Sequence, residues 1–119
     1  MSTNVISIHP YFKVKPGKQD ALKGVLATIV KAVATEKKCV YFDFTINDDT
    51  VFCREAYAGV DGVMEHVANV GPLLPQLFAV SDLTRIEVHG AAADIEKLKT
   101  GPLAGLKPTW FAHIDGVAR

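Results

Sequence analysis

Between Lys18 and about Glu36 the apolar residues fall at Leu22, Val25, Leu26, Ile29, Val30 and Val33. This is the i, i+3, i+4, i+7 spacing of a helix with one buried stripe. Such a stripe needs a flat apolar partner, and the flanking segments supply strands. Residues 5–14 (VISIHPYFKV) are rich in β-branched and aromatic types, with Ile6, Ile8, Phe12 and Val14 on one parity and Ser7, His9 and Tyr11 on the other. Pro10 cannot donate to a ladder, which predicts an edge strand or a bulge there. Pro16-Gly17 breaks the strand and opens the helix. Lys37 and Lys38 follow the helix end, where positive charge suits its dipole.

Residues 39–47 (CVYFDFTIN) alternate Val40, Phe42, Phe44 and Ile46 against Tyr41, Asp43 and Thr45. Asp48-Asp49 makes a turn and residues 50–58 (TVFCREAYA) return beside the first strand of the hairpin. This register pairs Ile46 with Val51, Phe44 with Cys53 and Asp43 with Arg54. It also puts Glu55 and Tyr57 on the Phe42/Phe44 face, an assignment that a one-residue slip would reverse. A second helix is expected from about Val60 to Val70, striped by Val60, Val63, Met64 and Val67, and Gly71-Pro72 ends it. LLPQLFAV follows as a short helical or irregular segment. Residues 83–89 form a fourth strand, 92–100 a short exposed helix, and 109–114 a terminal strand or extended tail.

The order β-α-β-β-α-β predicts an α+β, ferredoxin-like fold, with a four-stranded antiparallel sheet and its helices on one face. The 119 residues suit a single domain, with a core at about 4–90 and a C-terminal helix and tail over 91–119. The opposite sheet face would carry His9, Tyr11, Tyr41 and Phe52, so a partner is expected. Stacking two such faces makes a homodimer, a dimeric α/β barrel, and Trp110-Phe111 are placed to reach the neighbouring subunit.

Thirteen basic and thirteen acidic residues cancel, which argues against nucleic acid as a partner. The groups Lys13/Lys15/Lys18 and Lys37/Lys38 read as solvated helix ends. Cys39 and Cys53 sit in apolar runs and read as free buried thiols. Met1-Ser2-Thr3-Asn4 lacks the basic and apolar stretches of a signal peptide. No apolar run approaches the roughly 20 residues of a membrane span, so the expected setting is cytoplasmic, with no membrane partner. The four histidines His9, His66, His89 and His113 show no ligand-pair spacing, so no metal is expected. His9 and His89 do share one sheet side, which leaves a site at the dimer interface open.

Several of these segments together resemble the antibiotic biosynthesis monooxygenase superfamily of dimeric ferredoxin-like proteins. They are the first strand with Pro16-Gly17 and the long helix, the strand end Arg54-Glu55-Ala56-Tyr57, the helical Met64-Glu65-His66, and Arg85-Ile86-Glu87-Val88-His89-Gly90. The strand end is similar to the family's Glu-x-Trp, with Tyr57 in place of Trp. Glu65 stands where a small residue usually precedes the helix histidine. The resemblance implies a ligand cavity between the sheet and its helices and an activity without cofactor. It also counts against haem degradation, since one helix histidine and no strand-end Trp are present.

His66, Glu55 and Tyr57 are the candidate catalytic residues. His66, at the edge of the helix stripe, suits proton transfer to or from a phenol, or simply bonds a neighbour. Glu55 in apolar surroundings is a candidate acid or base, or it bonds backbone and braces the strand end. Tyr57 either orients a substrate through its hydroxyl or fills the core. The expected pocket wall is Phe42, Phe44, Cys53, Leu74, Leu77 and Phe78, enclosing roughly a few hundred Å3 and opening near His66. The function so implied is a cofactor-independent monooxygenase acting on a small aromatic, phenolic or quinol substrate. The alternative is a non-catalytic small-ligand-binding or scaffold dimer, with core side chains filling the Glu55–His66 region. A third use of the same cavity is an isomerase or cyclase that needs only acid–base groups.

Overall fold

Strand β1 (Val5–Val14) runs through the middle of the sheet, and everything else is arranged about it. The computed structural model describes residues 5–118; the Met1-Ser2-Thr3-Asn4 start discussed above lies outside the described residues. Helix α1 (Gln19–Val33) follows, then the hairpin β2 (Cys39–Asn47) and β3 (Thr50–Ala58). Helix α2 (Gly59–Val70) leads through a 3-10 turn at Gly71–Leu73 into α3 (Leu74–Val80). Strand β4 (Ser81–Gly90), α4 (Ala92–Leu98), a second 3-10 segment at Pro102–Leu106 and β5 (Thr109–Ala112) complete the chain.

The sheet order is β2-β3-β1-β4-β5. The four-stranded antiparallel sheet expected from the sequence is therefore corrected to a five-stranded mixed one. The segment 109–112 turns back after the 3-10 segment and pairs parallel to β4, with Val88 opposite Trp110 and His89 opposite Phe111. Four residues carry too little alternation to declare a partner, so this pairing is set by how the preceding segment packs. Trp110 lies against the core of its own subunit, with Ile95, Leu98 and Leu103 in the same cluster.

Pro10 also sits differently from one of its two expectations. It is central, and the irregularity lies beside it: Tyr11 opposes Arg85 and Phe12 opposes Leu83, leaving Thr84 as an extra residue on β4. The Thr84 hydroxyl donates to the Tyr11 carbonyl at 3.2 Å. A bulge thus accommodates the missing donor without putting the proline on an edge.

The hairpin register is as the alternation required, with Asp43 opposite Arg54, Phe44 opposite Cys53 and Phe42 opposite Glu55. The turn is the two residues Asp48-Asp49, and Asp48 takes the left-handed conformation at φ 56°. A shift of register between Cys39 and Tyr41 turns Val40 outward, so that it is exposed instead of joining Phe42.

The core fills one side of the sheet. Ile6, Ile8, Tyr57 and Val88 pack with Val63 of α2 and with Ile95 and Leu98 of α4. Phe12, Val14 and Val51 pack with Leu22, Ile29 and Val33 of α1 and with Leu77 of α3. Each such buried side chain contributes about 1.5–3 kcal/mol. The buried stripe of α1 is narrower than its apolar pattern: Val30 is exposed. The other sheet face carries Tyr11 against Phe52 at 4.7 Å, His9 against His89 at 4.8 Å and His89 stacked on Phe111 at 4.4 Å. No helix among the described residues is long and apolar enough to cross a membrane.

Candidate functional site

The two core clusters leave a cavity between them. The passage from β3 to α2 explains how polar groups come to it. β3 ends at Ala58 and α2 begins at Gly59, with no connecting loop; Gly59 makes the corner at φ +77°, a conformation costly for other residues. One turn on, α2 lies close against the sheet at Gly62. A Cβ there would come within 3.0 Å of Lys38 Cβ and 3.1 Å of Tyr57 Cβ. The next turn of the helix carries His66, which this close approach presses down over Glu55 and Tyr57.

His66, Glu55 and Tyr57 are therefore brought together, and all three are buried. The Tyr57 hydroxyl donates to Glu55 Oε1 at 2.7 Å. His66 Nε2 lies 3.3 Å from the same oxygen. On its other side, His66 Nδ1 donates to Glu36, at 3.0 Å to Oε2 and 3.2 Å to Oε1. Asn69 Nδ2 in turn donates to Glu36 Oε2 at 2.9 Å and to the Ala32 carbonyl at 3.0 Å. The result is a chain Asn69–Glu36–His66–Glu55–Tyr57, buried at its His66, Glu55 and Tyr57 end. The Glu36 side chain is 1% exposed, less than that of His66.

Glu36 and Asn69 were missed from the sequence. Glu36 stands in the connection after α1, where a carboxylate reads as solvated. A faint signal existed in Asn69, three residues after His66 and so on the same helix face.

Burial on its own would hold the His66 imidazolium below its ordinary value. The hydrogen bond and charge of Glu55, then the charge and hydrogen bond of Glu36, outweigh it and leave the pKa raised. Burial, and after it the charge and hydrogen bond of Glu55, push the Tyr57 phenol upward, so it serves as a donor. The same order of causes, burial and then Glu55, raises the Cys53 thiol; Cys39 is raised to about 11 by burial and then by Glu36. Neither thiol is in a disulfide, and neither is activated as a nucleophile.

The cavity is lined by Ile8, Phe12, Cys53 and Glu55 of β1 and β3 and by His66 of α2. All six wall residues expected from the sequence line it: Phe42, Phe44, Cys53, Leu74, Leu77 and Phe78. Leu103 and Leu106, from the segment after α4, were not anticipated as part of the wall. Tyr57 does not line the cavity; it stands behind Glu55. The volume is ≈ 90 Å3, smaller than the few hundred Å3 expected. Apart from Glu55, His66 and the weakly polar Cys53 thiol, no polar side chain among the described residues reaches the wall. Among the described residues no three or more His, Cys, Asp or Glu side chains gather in a metal-binding group.

No protein-family profile matches the chain, and no curated protein sequence does. Solved structures do. MupZ from Pseudomonas fluorescens is 30% identical, with a TM-score of 0.91 over 98% of this chain and 95% of MupZ. A putative antibiotic biosynthesis monooxygenase from Caulobacter crescentus is 19% identical, with a TM-score of 0.66 over 76% of this chain and 92% of that one. SnoaB, a cofactor-independent oxygenase from Streptomyces nogalater, is 15% identical, with a TM-score of 0.65 over 75% of this chain and 94% of SnoaB. The latter two share the fold, and the first matches over nearly its whole length.

Proposed function

We propose, from the likeness to MupZ over nearly the whole chain and the fold shared with antibiotic biosynthesis monooxygenases, that the chain belongs to that superfamily and is an enzyme doing proton-transfer chemistry on a small, largely apolar substrate. The observation that carries this is the placement of Glu55 and His66, hydrogen-bonded into a buried relay, at the polar end of an otherwise apolar cavity. A binding or scaffold protein has no need of two carboxylates and an imidazole enclosed together, at a desolvation cost of several kcal/mol per charge.

The specific reaction proposed is oxygenation of a phenol or quinol without a cofactor. Removing the substrate's proton makes an electron-rich anion whose carbon reacts with dioxygen. One oxygen atom stays on that carbon as a carbonyl; the other leaves with two hydrogens as water. The protein's task is to take the proton, stabilise the oxyanion and exclude bulk water. Glu55 and His66 fit the first two roles and the phenylalanine and leucine wall the third. A cavity of ≈ 90 Å3 suits a single ring, and a larger polycyclic substrate requires Leu74 and Phe78 to swing aside. The working form is a cytoplasmic homodimer closed through the open sheet face.

A second reading is favoured by one observation. His66 faces a carboxylate on each ring nitrogen and so enters as a proton donor. A fixed donor beside a carboxylate acceptor is all that an isomerisation or ring closure needs.

Oxygen uptake by the protein with a panel of monocyclic and polycyclic hydroquinones tests both. Oxygenation requires uptake above the buffer rate, reduced about 100-fold or more in Glu55→Gln and His66→Ala. Substrate conversion that persists without oxygen selects the acid–base reading. Neither uptake nor conversion, with ligand still retained, returns the pocket to a binding role.

A further inference from the structure

We propose that Glu36 is the positioning residue of this site: clamped by Asn69, it holds His66 doubly protonated with Nε2–H beside Glu55, which makes Glu55 the proton acceptor. The inference rests on the reading above that Glu55 and His66 act on a substrate, and it assigns their division of labour.

The geometry is specific. An imidazole with one proton has a donor nitrogen and an acceptor nitrogen. Here Nδ1 is 3.0 Å from Glu36 Oε2 and Nε2 is 3.3 Å from Glu55 Oε1, and a carboxylate on each side calls for a donor on each side. Only the cation supplies two. Glu36 cannot turn away, because Asn69 holds Oε2 at 2.9 Å and is itself tied to the Ala32 carbonyl at the end of α1. The other titratable groups near His66 are Tyr57 on β3, which donates to Glu55, and the thiols Cys39 and Cys53. β2 contributes Phe42 to the surroundings of His66, and the segment after α4 contributes Leu103 and Leu106.

A histidine held in this way has no lone pair to receive a proton. The Tyr57 hydroxyl and His66 Nε2 both meet Glu55 at Oε1, and the Glu55 side chain lines the cavity, where a substrate hydroxyl can reach it. The substrate's hydroxyl proton then passes to the Glu55 carboxylate. The oxyanion left behind lies beside the His66 cation, which stabilises it. Among the described residues no arginine or lysine lines the wall, so the substrate this arrangement accepts is uncharged on binding and gains its charge at His66.

The test is nitrogen-15 NMR of the histidine side chains across pH, on the intact protein, with His66 identified by the signal missing from His66→Gln. In the native protein both His66 nitrogens should be protonated at pH 7. Glu36→Gln, which keeps shape and loses charge, should lower the midpoint of that titration by about one pH unit or more. Asn69→Ala, which leaves the carboxylate but frees it, should lower it by less, and decides the matter if Glu36→Gln does not fold. With turnover in hand, the pH limb of kcat/KM set by His66 should move by the same amount in each variant. A His66 titration that moves by under about 0.3 unit in a folded variant overturns the role of Glu36, as does a singly protonated His66 at pH 7. That result can occur while wild-type turnover is normal. Conversely, absent turnover with the expected NMR shifts refutes the enzymatic reading and leaves the positioning intact.

Discussion

At the scale of single residues, the interest lies in an imidazole enclosed between two carboxylates. The folded His66 pKa is raised by its two carboxylates against the opposing effect of burial. A base whose folded value exceeds the unfolded one, near 6.5, contributes stability that is full below the unfolded value and is lost as pH rises through the folded one. Urea midpoints of the native protein should therefore fall from pH 6 into the alkaline range by more than those of His66→Gln. The difference should amount to about 1.4 kcal/mol per unit by which the folded value exceeds the unfolded one. Equal slopes for the two proteins would show that His66 is not held charged. Glu55 was read from the sequence as either an acid–base group or a brace for the strand end. The structure puts it in the cavity lining with Tyr57 and His66 on its Oε1, so side chains rather than the strand-end backbone hold it. Tyr57 was read as a substrate-orienting hydroxyl or a core filler, and it fills the core while its hydroxyl supports Glu55.

Among the elements, α2 matters most, since its distance from β3 sets where His66 lies. Gly62 permits that distance. Gly62→Ala raises intrinsic helix propensity by about 0.8–1 kcal/mol, yet its methyl would meet Lys38 Cβ at 3.0 Å and Tyr57 Cβ at 3.1 Å. These are a strand side chain and the residue just before β2, neither free to retreat. Net destabilisation of about 1–3 kcal/mol is expected by chemical denaturation, together with a larger loss of turnover than of stability, because α2 and His66 are pushed off Glu55. A stabilised Gly62→Ala protein with full turnover would show that the helix has room to move. The hairpin shows how fully an element can be legible in advance: period-two alternation and a two-residue Asp-Asp turn leave few registers, and the observed pairs Ile46–Val51, Asp43–Arg54 and Phe42–Glu55 follow.

For the whole molecule, the uncovered sheet face governs. Its aromatic side chains Tyr11, Phe52, His9, His89 and Phe111 stack on one another within the subunit, and Phe111 and Tyr41 remain exposed. The Asp43–Arg54 pair at 3.5 Å adds little, since both side chains are more than half exposed. If two such faces close into the proposed homodimer, Phe52→Glu puts a carboxylate at its centre. Sedimentation or size-exclusion measurements should then find a monomer, whereas an unchanged dimer would place the interface elsewhere. A monomeric native protein would refute the proposal.

The sequence alone determined the elements whose signals are local: the β1 parity, the α1 stripe and the hairpin register. Each depends on periodicity between near neighbours, which reflects a helix or strand presenting one face to a core. Tertiary structure decided what depends on residues distant along the chain. It made β5 a parallel neighbour of β4, moved the Pro10 irregularity to Thr84, and brought Glu36 and Asn69 together 33 positions apart. A buried carboxylate carries no local signature of its burial. Glu36 reads like any solvated residue after a helix, and only the packing of α2 over the sheet shows that it faces His66 instead of water.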